Sequence, residues 1–216
     1  MPAPERSCTN SATHGSSQKP ALRSGLLYFI SNRRQRRSGA TIPAVSPARA
    51  KTAKKKSAPR AASTPSPAAQ LDAFLDKFTP DIAAQARIAL RRMRARLPGA
   101  LELVYDNYNA LAIGFSPTDR TSDAIFSIAL FPRWVSLFFL INGTRLHDPD
   151  CYLEGSGKQA RHIKLDNGAM IDDPGVQDLI AQALELSEKK IDPSQPRRLI
   201  IKSISAAQRP RRPGSK

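Results

Sequence analysis

The sequence predicts an α+β domain: an antiparallel meander sheet of about five to six strands, covered by two N-terminal helices and one C-terminal helix. Apolar residues recur with helical spacing in two segments between residues 67 and 97, and in a third between residues 174 and 186. Between these regions the apolar residues alternate with a period of two, and short turn signals separate the alternating segments. Short turns favour antiparallel neighbours, so we predict a meander.

The two N-terminal helices each begin at a capping residue followed by proline, at Ser66-Pro67 and at Thr79-Pro80. The second helix is expected to end at Pro98-Gly99. Asp173-Pro174 starts the C-terminal helix in the same way. The predicted core-facing stripes are Leu71, Phe74, Leu75 and Phe78, then Ile82, Ala86, Ala89, Leu90, Met93 and Leu97, and finally Val176, Leu179, Ile180, Ala183 and Leu186.

The face of the second helix opposite its apolar stripe carries Arg87, Arg91 and Arg94 at positions i, i+4 and i+7. This spacing fits a stripe of arginines that binds anions. Such spacing is more often found on a helix face that simply contacts solvent. The residues alone leave both interpretations open.

Six segments have the composition and alternation of strands. Asx-rich residues 106–109 and Pro132-Arg133 are predicted to form the turns of two hairpins. Residues 143–160 are predicted to form a long loop. The predicted strands cover residues 101–105, 111–115, 124–130, 134–141, 161–165 and 199–204.

The composition divides the chain into three parts. The first 67 residues hold 13 of the 34 Lys and Arg residues but a single acid, whereas the rest of the chain holds 21 bases and 17 acids. Only two of the 13 aromatic residues lie in that first part, so it cannot bury enough apolar surface to offset the entropy of ordering it. We predict a disordered basic N-terminal extension over residues 1–66, one domain over residues 67–212, and a disordered C-terminus over residues 213–216.

The N-terminal extension contains a basic run that fits non-specific binding to nucleic acid. Such a run neutralises phosphates without reading the base sequence. A basic linker in solvent and an organellar transit peptide are alternative interpretations of the same composition. The candidate nucleic-acid residues are Lys51, Lys54, Lys55, Lys56 and Arg60, with Arg209, Arg211 and Arg212 as a second basic segment at the C-terminal end.

The sequence predicts a cytoplasmic protein with no membrane partner. The longest apolar stretches, residues 26–30 and 135–141, fall far short of the roughly 18 residues that a membrane-spanning helix requires. Cys8 and Cys151 are too few to form a disulfide framework, and we expect both to be free thiols.

No catalytic motif is recognisable, so we expect a protein that is not an enzyme and needs no cofactor. The motifs G-x-S-x-G and H-E-x-x-H are absent. His147-Asp148-Pro149-Asp150-Cys151 places several potential metal ligands together, but the spacing matches no known site. The alternative interpretation is a polar loop whose acids cap nearby backbone amides.

Gly155-Ser156-Gly157-Lys158 has the backbone composition of an anion nest but lacks the pattern of a nucleotide-binding loop. Three nitrogen donors follow the glycines at one edge of the predicted sheet, where a carboxylate or phosphate could bind. Flexible glycines with exposed bases are the alternative. Our candidate ligand site comprises Lys158, Arg161 and His162 together with Tyr105, Asn107, Tyr108 and Trp134.

Four separated segments resemble, in the expected order, the YdhG-like family, a bacterial domain family of unknown function. They are VYDNYNAL at 104–111, FPRWVSLFF at 131–139, GSGKQARHI at 155–163 and IIKSISAAQRPRR at 200–212. The resemblance covers residues 70–212 and implies a compact α+β domain with helices packed on a meander sheet. One branch of the family is described as a frataxin-like iron chaperone, which would imply acidic surface ligands. Asp72, Asp76 and Asp81 are the helical acids near such a position, in a domain of net basic charge.

The function predicted from the sequence is therefore a non-enzymatic binding domain for a small anionic ligand or a protein partner. Association of the tail with nucleic acid is the second hypothesis, and iron delivery through oxygen ligands is the third.

Overall fold

The computed structural model describes residues 65–213. It confirms the predicted α+β class, with three α-helices and a six-stranded sheet in this part of the chain. Except for residues 65, 66 and 213, the segments predicted to be disordered lie outside the described residues. The elements are α1 (Pro67–Leu75), α2 (Pro80–Arg96), β1 (Leu101–Asp106), β2 (Leu111–Ser116), β3 (Phe126–Leu130), β4 (Val135–Phe139), β5 (Arg161–Leu165), α3 (Pro174–Glu185) and β6 (Arg198–Ile204).

The sheet is mixed, so the prediction of a purely antiparallel sheet is wrong. Strands β1 to β5 form the expected antiparallel meander, but β6 pairs in parallel with β1, in the order β5-β4-β3-β2-β1-β6. The direction of β6 follows from the connection. The fifth strand of a meander runs the same way as the first, and α3 carries the chain back before β6 begins, so β6 runs parallel to β1.

One face of the sheet provides its side of the hydrophobic core. The strand register aligns Val104, Ile113, Ile128, Leu137 and Ile163 in one row across β1 to β5, and each of them is at most 1% exposed. Helix α2 contacts β3 and β4, and α1 contacts β6. Helix α3 packs on the short 3-10 segment that precedes it, and that segment also contacts α2. The predicted core stripes of all three helices are buried, apart from Leu186, which caps the C-terminal end of α3 and is only partly buried.

Two of the three helices begin with the side-chain capping bond expected from the sequence, whereas Thr79, at the N-cap of α2, makes no such bond. The Ser66 hydroxyl accepts a hydrogen bond from the Ala69 amide at 3.2 Å, and the Asp173 carboxylate accepts one from the Gly175 amide at 2.9 Å. Beyond the other end of α3, the Lys190 ammonium donates to the backbone carbonyls of residues 184 and 185, at 2.8 Å each. These carbonyls lie where a helix concentrates negative partial charge, which favours a cation.

The segment after β6 folds back onto the end of β1. The Arg211 guanidinium donates to the buried Asp106 carboxylate at 2.7 Å, and Lys77 and Gln208 donate to the same carboxylate at 2.7 and 2.6 Å. Arg212 donates to the backbone carbonyls of residues 76 and 78, at 3.1 Å each. Two of the three arginines predicted to form a second nucleic-acid segment therefore have a structural role, because their guanidinium groups donate hydrogen bonds within the domain.

None of the helices between residues 65 and 213 combines the length and the apolar composition needed to cross a bilayer.

Candidate anion-binding site

The structure does not bring the seven sequence-predicted ligand residues together. Tyr105, Asn107 and Tyr108 lie at the end of β1 and in the turn after it, and Trp134 lies in the β3–β4 turn at the same end of the sheet. Lys158, Arg161 and His162 lie at the opposite end, in or just before β5, and three strands separate β5 from β1. Four interstrand spacings of about 4.8 Å place β1 about 19 Å from β5 across the sheet, and Trp134, just before the neighbouring strand β4, lies at the other end of β5 from Arg161. A single site made of both groups is excluded.

The donors near β5 do not converge on a common point. The Arg161 guanidinium donates to the backbone carbonyls of Gly157 and Ala160, at 2.6 and 2.8 Å, and thus binds its own loop. His162 stacks on the Phe138 ring with centroids 4.9 Å apart, and its Nε2 lies 3.8 Å from a carboxylate oxygen of Glu154. Burial lowers the pKa of His162, and the nearby Glu154 carboxylate opposes that shift. Lys158 is exposed. The glycine hairpin therefore presents one free ammonium instead of three convergent donors.

The aromatic group at the other end stabilises its own turns. The Tyr105 hydroxyl forms a 2.5 Å hydrogen bond with the Thr121 hydroxyl, and burial raises the pKa of the Tyr105 phenol. The Asn107 carbonyl accepts a hydrogen bond from Arg211. Tyr108 is exposed, and its carbonyl accepts from the Arg209 amide at 2.9 Å. The Trp134 ring stacks on its hairpin neighbour Phe131 with centroids 5.0 Å apart.

The loop that carries His147 and Cys151 behaves as the polar-loop interpretation predicts. The two carboxylate oxygens of Asp148 accept hydrogen bonds from the backbone amides of Tyr152 and Leu153, at 3.1 and 2.7 Å. Within residues 65–213 no three His, Cys, Asp or Glu side chains lie close enough together to hold a metal ion. The expectation of a free thiol is wrong for Cys151, which is disulfide-bonded.

A different group of residues forms a cavity of about 380 Å³ between α1, α2 and the edge of the sheet at β1 and β6. This volume is within the range of small-molecule sites. Its apolar part comes mostly from leucines of the two helices, and its basic part from α2 and from the residue just before β6. The lining residues are Ala68, Leu71, Asp72, Leu75, Arg87, Leu90, Arg91, Arg94, Glu102, Arg197 and Leu199.

Glu102 organises one wall of the cavity. Its side chain is 1% exposed, and both of its oxygens accept hydrogen bonds from the Arg94 guanidinium, at 2.9 and 2.7 Å. Arg197 approaches the same carboxylate, with Nε 3.5 Å from Oε1. A buried carboxylate needs such partners, because removing a charge from water costs several kcal/mol unless it is paired. Arg94 and Arg197 are thus held in place by Glu102.

The other arginines of α2 have acidic partners, with one exception. Arg87 donates to Asp76 at 2.7 Å, and both Arg92 and Arg96 pair with Asp172. Arg91 is exposed, and among residues 65–213 it forms no ion pair and no hydrogen bond. It lines the cavity beside α1 and also a more open hollow of about 510 Å³ on its other side.

The sequence shows the arginine spacing on α2 but does not predict the cavity. Anion binding at Arg87, Arg91 and Arg94 is one of the two interpretations that this spacing allows. The sequence pattern contains no comparable indication that Glu102 and Arg197 belong to the same site. Glu102 looks like an ordinary polar residue of an alternating strand, and Arg197 reaches the cavity only because β6 lies beside β1.

Fold and site together define an α+β domain with a basic cavity at one edge of its sheet. No protein-family model, no curated protein and no solved structure matches the chain. The chemistry of the cavity residues is therefore the basis for assigning a function.

Proposed function

We propose that this chain is a non-enzymatic binding domain that holds a small organic anion in the cavity between α1 and α2. The observation that carries the proposal is Arg91, a cavity-lining arginine without a partner on a helix whose four other arginines are all paired with acids. A guanidinium presents donors in a planar fork that matches a carboxylate or a phosphate. Arg91 is the group that an arriving anion would meet.

The lining supports binding better than catalysis. Arginine stays protonated in proteins and cannot serve as a general base. The Glu102 carboxylate is engaged by two arginines, which leaves Asp72 as the other acidic group of the lining. The lining contains no His, Cys, Ser or Lys that could act as a nucleophile.

The wider assignments from the sequence remain proposals. The ordered resemblance of four segments supports membership of the YdhG-like family, and the cytoplasmic location stays a proposal. The candidate nucleic-acid residues Lys51, Lys54, Lys55, Lys56 and Arg60 lie outside the described residues. Their basic composition still favours a second function, non-specific association of the tail with nucleic acid. No observation on residues 65–213 favours iron delivery.

Calorimetric titration of the full chain with acetate and with inorganic phosphate, at constant ionic strength, tests the proposed function. The variant Arg91→Ala should weaken binding of the preferred anion about 10- to 150-fold, which corresponds to the roughly 1.5–3 kcal/mol of a hydrogen bond to a charged group. Arg133→Ala is the matched control, because Arg133 is an exposed arginine in the β3–β4 turn, remote from the cavity. Equal weakening by both substitutions would show that the anions respond to overall charge, and the proposal would be wrong.

A further inference from the structure

We infer that the ligand of this cavity is a short-chain aliphatic monocarboxylate, with its carboxylate on Arg91 and its chain on the open apolar surface at Ala68 and Leu199. The inference rests on the proposed function and adds the chemical class of the anion. Two features of the lining carry it: the one cation without an acidic partner, and the position and extent of its open apolar surface.

The charge of the lining favours an anion with a single negative charge. Arg94 and Arg197 already form ion pairs with Glu102, and Arg87 forms one with Asp76, which lies outside the cavity. Arg91 is then the one cation of the lining that forms no ion pair with an acidic side chain of the described residues. The exposed Asp72 carboxylate also lines the cavity and would repel a second negative charge. A dianion would therefore form one ion pair, with Arg91, while its second charge would be repelled by Asp72.

The apolar surface favours a carboxylate with a hydrocarbon chain over an inorganic anion. Leu71, Leu75 and Leu90 line the cavity from the two helices, and Leu199 and Ala68 complete its apolar part. An inorganic phosphate would remain beside these side chains without covering them with apolar atoms. A hydrocarbon chain removes the part of this surface that is still open, at Ala68 and Leu199, from water, which is favourable in proportion to the area covered.

The same residues limit the length of that chain. Leu71, Leu75 and Leu90 are each at most 3% exposed, so little of their surface remains to be covered by a ligand. Ala68 is exposed, and Leu199 is half-buried, so the open apolar surface lies towards the start of α1 and β6. Only the first few methylene groups of a chain can contact this surface, and later ones would extend into solvent.

A series of straight-chain carboxylates from formate to octanoate, titrated into the full chain at constant ionic strength, tests the inference. Each of the first methylene groups should tighten binding by up to about fourfold, because burying one is worth about 0.8 kcal/mol. The affinity should then level off before octanoate. Succinate and inorganic phosphate should bind more weakly than butyrate.

Two neighbouring alanines of α1 provide a matched pair of variants. Ala68 lines the cavity and Ala69 does not, although both are exposed in the first turn of the helix. Ala68→Phe should occupy the apolar part of the cavity and abolish the dependence on chain length, while leaving the affinity for formate within about twofold. Ala69→Phe causes the same loss of helix propensity and should leave the affinity for every carboxylate of the series unchanged.

The outcomes separate this inference from the proposed function. If every carboxylate binds through Arg91 with the same affinity as formate, or if phosphate binds more tightly than butyrate, the proposed function stands and the assigned ligand class is wrong. If Arg91→Ala changes none of the affinities, the proposed function itself fails.

Discussion

The Nη2 atom of Arg211 donates to the Oδ1 atom of Asp106 at 2.7 Å, across 105 positions of the sequence. Both side chains are at least 95% buried, and the Arg211 guanidinium also lies over the Phe78 ring, 5.5 Å from its centroid. The pair joins the C-terminal segment to the end of β1 and to the loop between α1 and α2. It therefore anchors the last segment of the domain.

Asp106→Ala should destabilise the domain by about 3–5 kcal/mol, because it leaves the buried Arg211 cation without its acidic partner. Urea unfolding followed by circular dichroism measures the effect. Arg209→Ala is the control, since its observed contact uses the backbone amide, which the substitution retains. A loss below about 1 kcal/mol in Asp106→Ala would show that the C-terminal segment contributes little to stability.

Arg94 and Arg91 should respond differently to the same substitution. Arg94→Ala removes both hydrogen bonds from the buried Glu102 carboxylate and should cost about 1–3 kcal/mol of unfolding free energy. Arg91→Ala removes an exposed side chain without a partner and should stay within about 0.5 kcal/mol of the wild type. Chemical denaturation without added anion compares the two variants. Similar losses in both would mean that Arg91 has a structural role.

His162 should make the domain less stable in mild acid. Its pKa in the folded state is lowered mainly by burial, so below the unfolded-state value of about 6.5 the unfolded chain binds more protons than the folded one. The contribution of His162 is present above that value and is lost as the pH falls through the folded pKa. Proton NMR titration should find this pKa below 6.5.

His162→Phe retains a ring beside Phe138 and removes the titrating group, so it should reduce the loss of stability between pH 7.5 and pH 5. His147→Phe is the control, because His147 is exposed and its observed hydrogen bonds use backbone atoms. An unchanged pH dependence in His162→Phe would assign the effect to other groups.

The N-terminal tail should bind DNA weakly, without sequence preference, and with a steep dependence on salt. Each neutralised phosphate contributes about −0.9 to the slope of log affinity against log salt concentration. A chain that starts at Pro65 keeps the Ser66 cap of α1 and should lose most of this binding. Fluorescence anisotropy with a short labelled duplex measures it. Retained binding in the shortened chain would place the nucleic-acid site on residues 65–216.

The local elements of the fold could be predicted from the sequence because their signals are local. Ser66 and Asp173 cap α1 and α3 as their spacing indicates, and strand Arg161–Leu165 has the predicted bounds. The parallel pairing of β6 with β1 is not predicted: the directions of β5 and α3 imply the direction of β6, but not that β1 is its neighbour. Pairing between strands so distant in sequence depends on tertiary packing, which alternation of apolar residues does not encode.

The functional groups were harder to predict because they depend on pairing across the chain. Arg211 has the composition of a basic terminal segment, yet the carboxylate that binds it lies on β1. The importance of Arg91 is visible only once Asp76, Asp172 and Glu102 are seen to occupy the other arginines of α2. A sequence shows which charges are present, and the fold decides which of them remain free.

The most direct test of the proposed binding site is an NMR titration of the full chain with butyrate, observed at the side-chain Nε–Hε groups of the arginines. The Arg91 resonance, assigned by its loss in Arg91→Lys, should shift progressively and saturate as the carboxylate binds to its guanidinium. The Arg133 resonance should remain in place. An Arg91 resonance that does not move, or shifts of equal size and without saturation at both arginines, would contradict the account.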